Sequence, residues 1–284
     1  MRFFKTTSLV TGILICSFGF FSKSGFASAP HFDHSTWDQF LKKYVSETGS
    51  VNYAAVKADP ALLNQYIEEL HSVAVGFDAL HWPLLNWPRE EQLAFWLNAY
   101  HAGVVLRVVE NYPLRSINDI SGVWTNPTLK IGERSYSLND IRSKELIKAF
   151  RDEKVHLALS CGARSCPPFP RESFVATRVE GQLFMITNQR IQDDRFVRID
   201  LKKKRVFLSR IFYWYGDDFI LDFGAQPGES LKFTPPNMAV LSFVRYYTQD
   251  AEKIEFLENL GFKIKYLPFD WTLADWDGTP AKGA

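Results

Sequence analysis

His156, Cys161 and Cys166 crowd into one short stretch, Val155-His-Leu-Ala-Leu-Ser-Cys-Gly-Ala-Arg-Ser-Cys-Pro-Pro-Phe. These residue types do chemistry in three ways. A cysteine thiolate with a histidine base is a nucleophile that splits acyl transfer into two easier steps. Two cysteines five residues apart can instead close a structural disulfide if their backbones approach to bridging distance. Histidine and cysteines can also hold a metal, but no fourth ligand stands at a usual spacing and the short ligand pairs of zinc sites are missing. No metal and no cofactor is therefore expected. Cys161, at the end of an apolar run, leads as nucleophile, with Cys166 second and His156 as base. Arg164 beside them favours a thiolate. The backbone amides of Arg164 and Ser165 are candidate oxyanion donors or ligand contacts.

A second polar group lies in Glu91-Gln-Leu-Ala-Phe-Trp-Leu-Asn-Ala-Tyr-His. Seven residues make nearly two helical turns, so Glu91 and Asn98 share a face, with His101 near it. Two readings stand side by side. Glu91 and Asn98 can satisfy loop backbone groups, as buried polar residues usually do. One of them can also orient His156, as the third member of a triad does. His101 alone reads as a satisfied helix histidine, or as a residue supporting the site.

These residues need elements to position them. The spacing of Trp37, Phe40, Leu41 and Tyr44 predicts a helix from Ser35, as its cap, to about Glu47. A second is expected from Pro60 to about Val73, then a loop over 76–87. Pro88 opens the longest helix, Arg89 to Asn111, and Tyr112-Pro113 ends it. A short hairpin is expected around Gly132, then a helix from Ser137, its candidate cap, to Phe150. Alternation over 155–160 predicts a strand, from which Gly162 turns the chain sharply. Helices over 177–193, 235–247 and 251–260 and strands over 196–201, 205–208 and 262–266 complete an α+β domain, helices packed on a small, mainly antiparallel sheet. The aromatic run over 211–219 reads as core, with Asp218 capping or pairing. Lys202, Lys203 and Lys204 read as a solvated hairpin tip.

At the N-terminus Arg2 and Lys5 precede an apolar stretch from Leu9 to Phe21, then Gly25, Ala27, Ser28 and Ala29. That is the layout of a secretory signal peptide of residues 1–29, too short for a membrane span. The expected location is periplasmic or secreted. Ile15 before Cys16 argues against a lipid anchor. Cleavage removes Arg2, Lys5 and Lys23 and no acid, moving the formal charge of the 284-residue chain from +1 to −2. Such a near-neutral chain offers no field for nucleic acid. Only Cys161 and Cys166 remain, in an oxidising compartment.

Several ordered motifs resemble the domain of unknown function family 547. They are Ala94-Phe-Trp-Leu-Asn-Ala-Tyr, Tyr112-Pro, Tyr136-Ser-Leu-Asn-Asp-Ile, the cysteine stretch and Ile211-Phe-Tyr-Trp-Tyr-Gly-Asp-Asp-Phe. Phe269-Asp-Trp-Thr-Leu fits too. The resemblance spans residues 85–275, after a helical lead-in over 30–84 and before a tail over 276–284. It implies a fold similar to papain-like cysteine peptidases and a cysteine–histidine–acid site, here Cys161 or Cys166 with His156 and Glu91. His101 departs from the family, which more often has Asn there.

Two functions follow. One is an exported cysteine-dependent hydrolase or acyltransferase. The other is a non-catalytic envelope module that binds a peptide, a small thiol such as glutathione, or a partner protein. A Cys161–Cys166 bridge favours the second. A redox role is weaker, because the cysteine spacing is not Cys-x-x-Cys.

Overall fold

A computed structural model describes residues 31–73, 87–225 and 232–279. The expected signal peptide and most of the loop expected over 76–87 lie outside these residues.

The N-terminal helices are α1 (Ser35–Tyr44), α2 (Tyr53–Ala58) and α3 (Ala61–His71). Ser35 is the first helical residue and not the cap; the Asp33 carboxylate takes the Ser35 N–H at 2.8 Å and its hydroxyl at 3.0 Å. Asn52 caps α2 by accepting the Ala55 N–H at 2.9 Å. Trp37, Phe40 and Tyr66 are fully buried, and Trp37 stacks on both of the others. Each such side chain contributes about 1.5–3 kcal/mol by leaving water. This lead-in joins one continuous core with the helix that follows.

That helix, α4 (Arg89–Asn111), begins after Pro88 and stops before Tyr112-Pro113, as the sequence predicts. It is buried almost all round, from Leu93 to Val105. The hairpin is β1 (Pro127–Ile131) with β2 (Arg134–Ser137), antiparallel. Ser137 and Asp140 cap each other reciprocally at the start of α5 (Leu138–Asp140), which continues as a π-helix over Ile141–Lys148. Beyond the cysteine loop come α7 (Val179–Ile191) and a three-stranded sheet. In it β3 (Val197–Asp200) pairs antiparallel with β4 (Arg205–Leu208), and β4 pairs parallel with β5 (Lys263–Tyr266). Thus the α+β class holds, but the strands form two small sheets.

A second core packs the three-stranded sheet against α8 (Arg210–Trp214), a tight turn over Gly216–Phe219, α10 (Pro235–Tyr247) and α11 (Ala251–Asn259). Between that turn and α10 lies α9 (Ile220–Phe223). No helix among the described residues is long and apolar enough to cross a membrane.

The strand expected over 155–160 is not there. Val155–Ala158 is one turn of helix, α6, and Leu159 then turns extended. All six side chains from Val155 to Ser160 are buried, so the alternation that suggested a strand separates no inner face from an outer one. The Asp152 side chain accepts the Lys154 N–H at 2.9 Å and starts the turn, and Val155 and His156 donate back to Asp152 and Glu153.

Candidate functional site

α6 presents His156, and the turn leaving it presents Cys161. The His101 ring on α4 holds that turn: its Nε2 accepts the Ser160 N–H at 3.0 Å. His101 is fully buried, and burial holds its pKa down near 3, against an opposing pull from the backbone of Ala158. An uncharged ring with an open Nε2 lone pair is what the Ser160 N–H requires. Gly162 follows with φ +78°, the left-handed conformation that glycine adopts freely, so the sharp turn expected there is present.

Cys161 and Cys166 are joined as a disulfide, with their Cα atoms 5.6 Å apart, inside the ordinary bridging range. Cys161 is half-buried and Cys166 buried. Together with His156 they border a cavity of about 260 Å³. Tyr215, Trp124, Ile211, Trp214, Phe269 and Trp271 supply most of its apolar wall, and Arg142 its fixed cation.

The partner of His156 is neither Glu91 nor Asn98. It is Asp218, whose Oδ2 lies 2.9 Å from His156 Nε2. Glu91 accepts the Phe32 N–H at 2.8 Å and faces the His31 ring at 3.2 Å. Asn98 clamps the backbone of Phe174, donating to its carbonyl at 2.8 Å and accepting its N–H at 3.0 Å. Both residues therefore satisfy backbone groups, the first of the two readings. Asp218 stands far along the chain in Tyr-Gly-Asp-Asp-Phe, and the only sequence signal for it was an acid within an aromatic core motif.

The His156 side chain is almost wholly enclosed. Its ring stacks on Tyr215 at 4.5 Å and 9°, and more loosely on Phe219 at 6.0 Å. Burial lowers the His156 pKa, and the Asp218 bond and charge oppose it. The same bond lowers the pKa of the more exposed Asp218. The result is a neutral imidazole beside a carboxylate. The carboxylate accepts, so Nε2 carries the proton and Nδ1 the lone pair, the tautomer of a general base. His156 and Asp218 also border a second hollow of about 450 Å³ with Asp152, Glu153 and Asp217.

The expected oxyanion donors are already engaged. Arg164 N–H donates to the Thr272 carbonyl at 2.9 Å and Ser165 N–H to that of Asp270 at 3.2 Å. Ala163 forms an isolated bridge with Leu273. These two amides stitch the cysteine loop to the C-terminal segment and are not open to an incoming oxygen.

Residues 84–189 match the family model described as protein of unknown function, DUF547. This segment is similar to the DUF547 family. It contains α4, Arg142, α6 and both cysteines of the cleft. The DUF547 match ends before Tyr215 and Asp218, so the acid comes from chain beyond the matched residues. No curated protein and no solved structure matches the chain, and the papain-like likeness finds no support there. Among the described residues no group of three histidine, cysteine or acidic side chains is placed to hold a metal.

Proposed function

We propose that this chain is an exported, non-catalytic binding module of the envelope, taking a peptide or a small thiol in its aromatic cleft. The observation that carries this reading is the bond between Cys161 and Cys166 in the cleft wall, which leaves neither sulfur as a thiolate. Export is supported by the basic head, apolar stretch and small residues before Pro30, and an oxidising compartment keeps such a bridge closed.

A second reading is favoured by one other feature, the His156–Asp218 pair, whose histidine lines the same cavity as Cys161. With the bridge reduced, Cys161 is the nucleophile, His156 its base and Asp218 the group that fixes the His156 tautomer. That is a cysteine-dependent hydrolase or acyltransferase.

Brief alkylation of the envelope-purified protein without reductant, followed by peptide mapping, separates the two. The binding module predicts no label on Cys161 or Cys166 until a reductant is added. Rapid label on one cysteine, persisting well below the ordinary thiol pKa of ~8.5, replaces it with the enzyme. The mass of the same sample tests export: a chain lacking residues 1–27 or 1–29 is expected, and an intact N-terminus refutes it.

A further inference from the structure

Arg142 is the cation of the cleft, and it is held without an acid. Its guanidinium sits 4.8 Å from the centre of the Tyr215 ring, and its polar partner is the Asn139 side chain, at 3.4 Å. It takes part in no ion pair among the described residues, whereas Arg89, Arg107, Arg171, Arg178, Arg195 and Arg245 each hold a carboxylate. Its charge helps to lower the pKa of Asp218, which borders the second hollow and not this cavity and is already bonded to His156. His156, on the shared wall, is neutral. An aromatic cavity with one uncompensated, planar, five-donor cation is built for a carboxylate carried on an apolar body.

Size narrows the class. At about 260 Å³ the cavity falls below the roughly 300–1,000 Å³ of ordinary small-molecule sites. It has room for one residue. Trp214, Phe269 and Trp271 form a cluster with ring centres 4.5–5.8 Å apart, and Trp214 is 39% exposed, an apolar surface already at the protein–water boundary.

We infer that the cleft binds the C-terminal residue of a peptide, its carboxylate on Arg142 and its apolar or aromatic side chain among Tyr215, Trp124, Trp214 and Trp271. This rests on the cleft being the binding site proposed above and adds the identity of the end it takes. The free terminus supplies the charge, and the aromatic wall supplies the selectivity for an apolar side chain.

The test is tryptophan fluorescence titration of the intact, oxidised protein with three probes: N-acetyl-phenylalanine, its C-terminal amide and the tripeptide Gly-Gly-Phe. The acid is expected to bind about tenfold or more tightly than the amide, as a charge-assisted pair should. Gly-Gly-Phe is expected to bind at least as well as the acid, and added salt to weaken the acid more than the amide. Arg142→Gln should bring the acid down to the amide. Arg142→Lys, which keeps the charge and loses the fork, should retain part of the preference and guards against loss of fold in the first variant. Equal binding of acid and amide overturns the carboxylate assignment while leaving the cleft a binding site. A tripeptide that binds far worse than N-acetyl-phenylalanine overturns the peptide and points to a free carboxylic acid. Failure of all three probes at millimolar concentration overturns this inference and the peptide form of the binding reading, leaving only its small-thiol form, which glutathione in the same titration tests.

Discussion

His156 Nε2 lies 2.9 Å from Asp218 Oδ2, across 62 residues of sequence. The contact joins the DUF547 segment to the smaller core that follows it, and it fixes which nitrogen of His156 carries the proton. Asp218→Asn removes the charge while keeping the shape. The His156 pKa is then expected to fall further below its ordinary range, because the opposing pull of the carboxylate is gone. A histidine-resolved NMR titration of wild type and variant measures this. An unchanged pKa would show that the carboxylate does not govern the ring.

Asn98→Ala should cost about 3 kcal/mol, since it strips the partners from both backbone groups of the buried Phe174. Urea unfolding measures the loss. Ligand binding in the cleft should survive in the folded fraction, because Asn98 does not border the cavity.

Buried histidines set the acid side of the stability profile. His34 and His101 are held near 3 by burial, and His156 is also lowered. Each takes up its proton more readily unfolded than folded, so stability is complete above pH ~6.5 and drains as pH falls toward the folded value. Each contributes a slope of up to about 1.4 kcal/mol per pH unit. The melting temperature should therefore drop between pH 6.5 and 5, and less steeply in His101→Asn. A flat profile would contradict neutral, buried rings.

Glu153 works in the opposite direction. Burial, with help from Asp152, raises its pKa to about 7. Its contribution is present below the unfolded value of ~4.3 and is lost as pH rises through 7. Glu153→Gln removes a charge that burial penalises. The variant should gain on the order of 2–3 kcal/mol at pH 8.5 and little at pH 5, read from chemical denaturation at both values.

The bridge closes a short loop, with a sequence separation of 5. Replacing both cysteines with serine should cost about 2 kcal/mol by the loop-entropy relation. On the binding-module reading, affinity for the cleft ligand should remain in the folded protein. Loss of all binding in a folded double variant would make a cysteine part of the recognition itself.

Where the chain punctuates itself, the sequence was a good guide. Pro88 and Tyr112-Pro113 bracket α4, and Pro235 opens α10, so α4 begins and ends, and α10 begins, where those prolines require. Ser137 announced its cap, and Gly162 its turn. α2 escaped because six residues are too few to show a period, although Asn52 was a usable cap signal. α6 was misread because a fully buried segment has no polar face to reveal its period. The residue types and spacing of His156 and the cysteines brought them forward, but Asp218, read only as capping or pairing, meets His156 through a tertiary contact that spacing does not reveal. Glu91 was the visible acid on a helix face, and Phe32 had already claimed it.

The stitching of the cysteine loop to the C-terminal segment has a consequence for how the molecule is made. Gly162, Arg164 and Ser165 pair with Ala274, Thr272 and Asp270, and Trp276 closes onto Val51. A chain synthesised from its N-terminus therefore has both cysteines in hand long before it has the strap that fixes their loop. The cleft is completed only when that strap arrives, and a nascent chain, or one clipped before the strap, carries its cysteines on a loop without it.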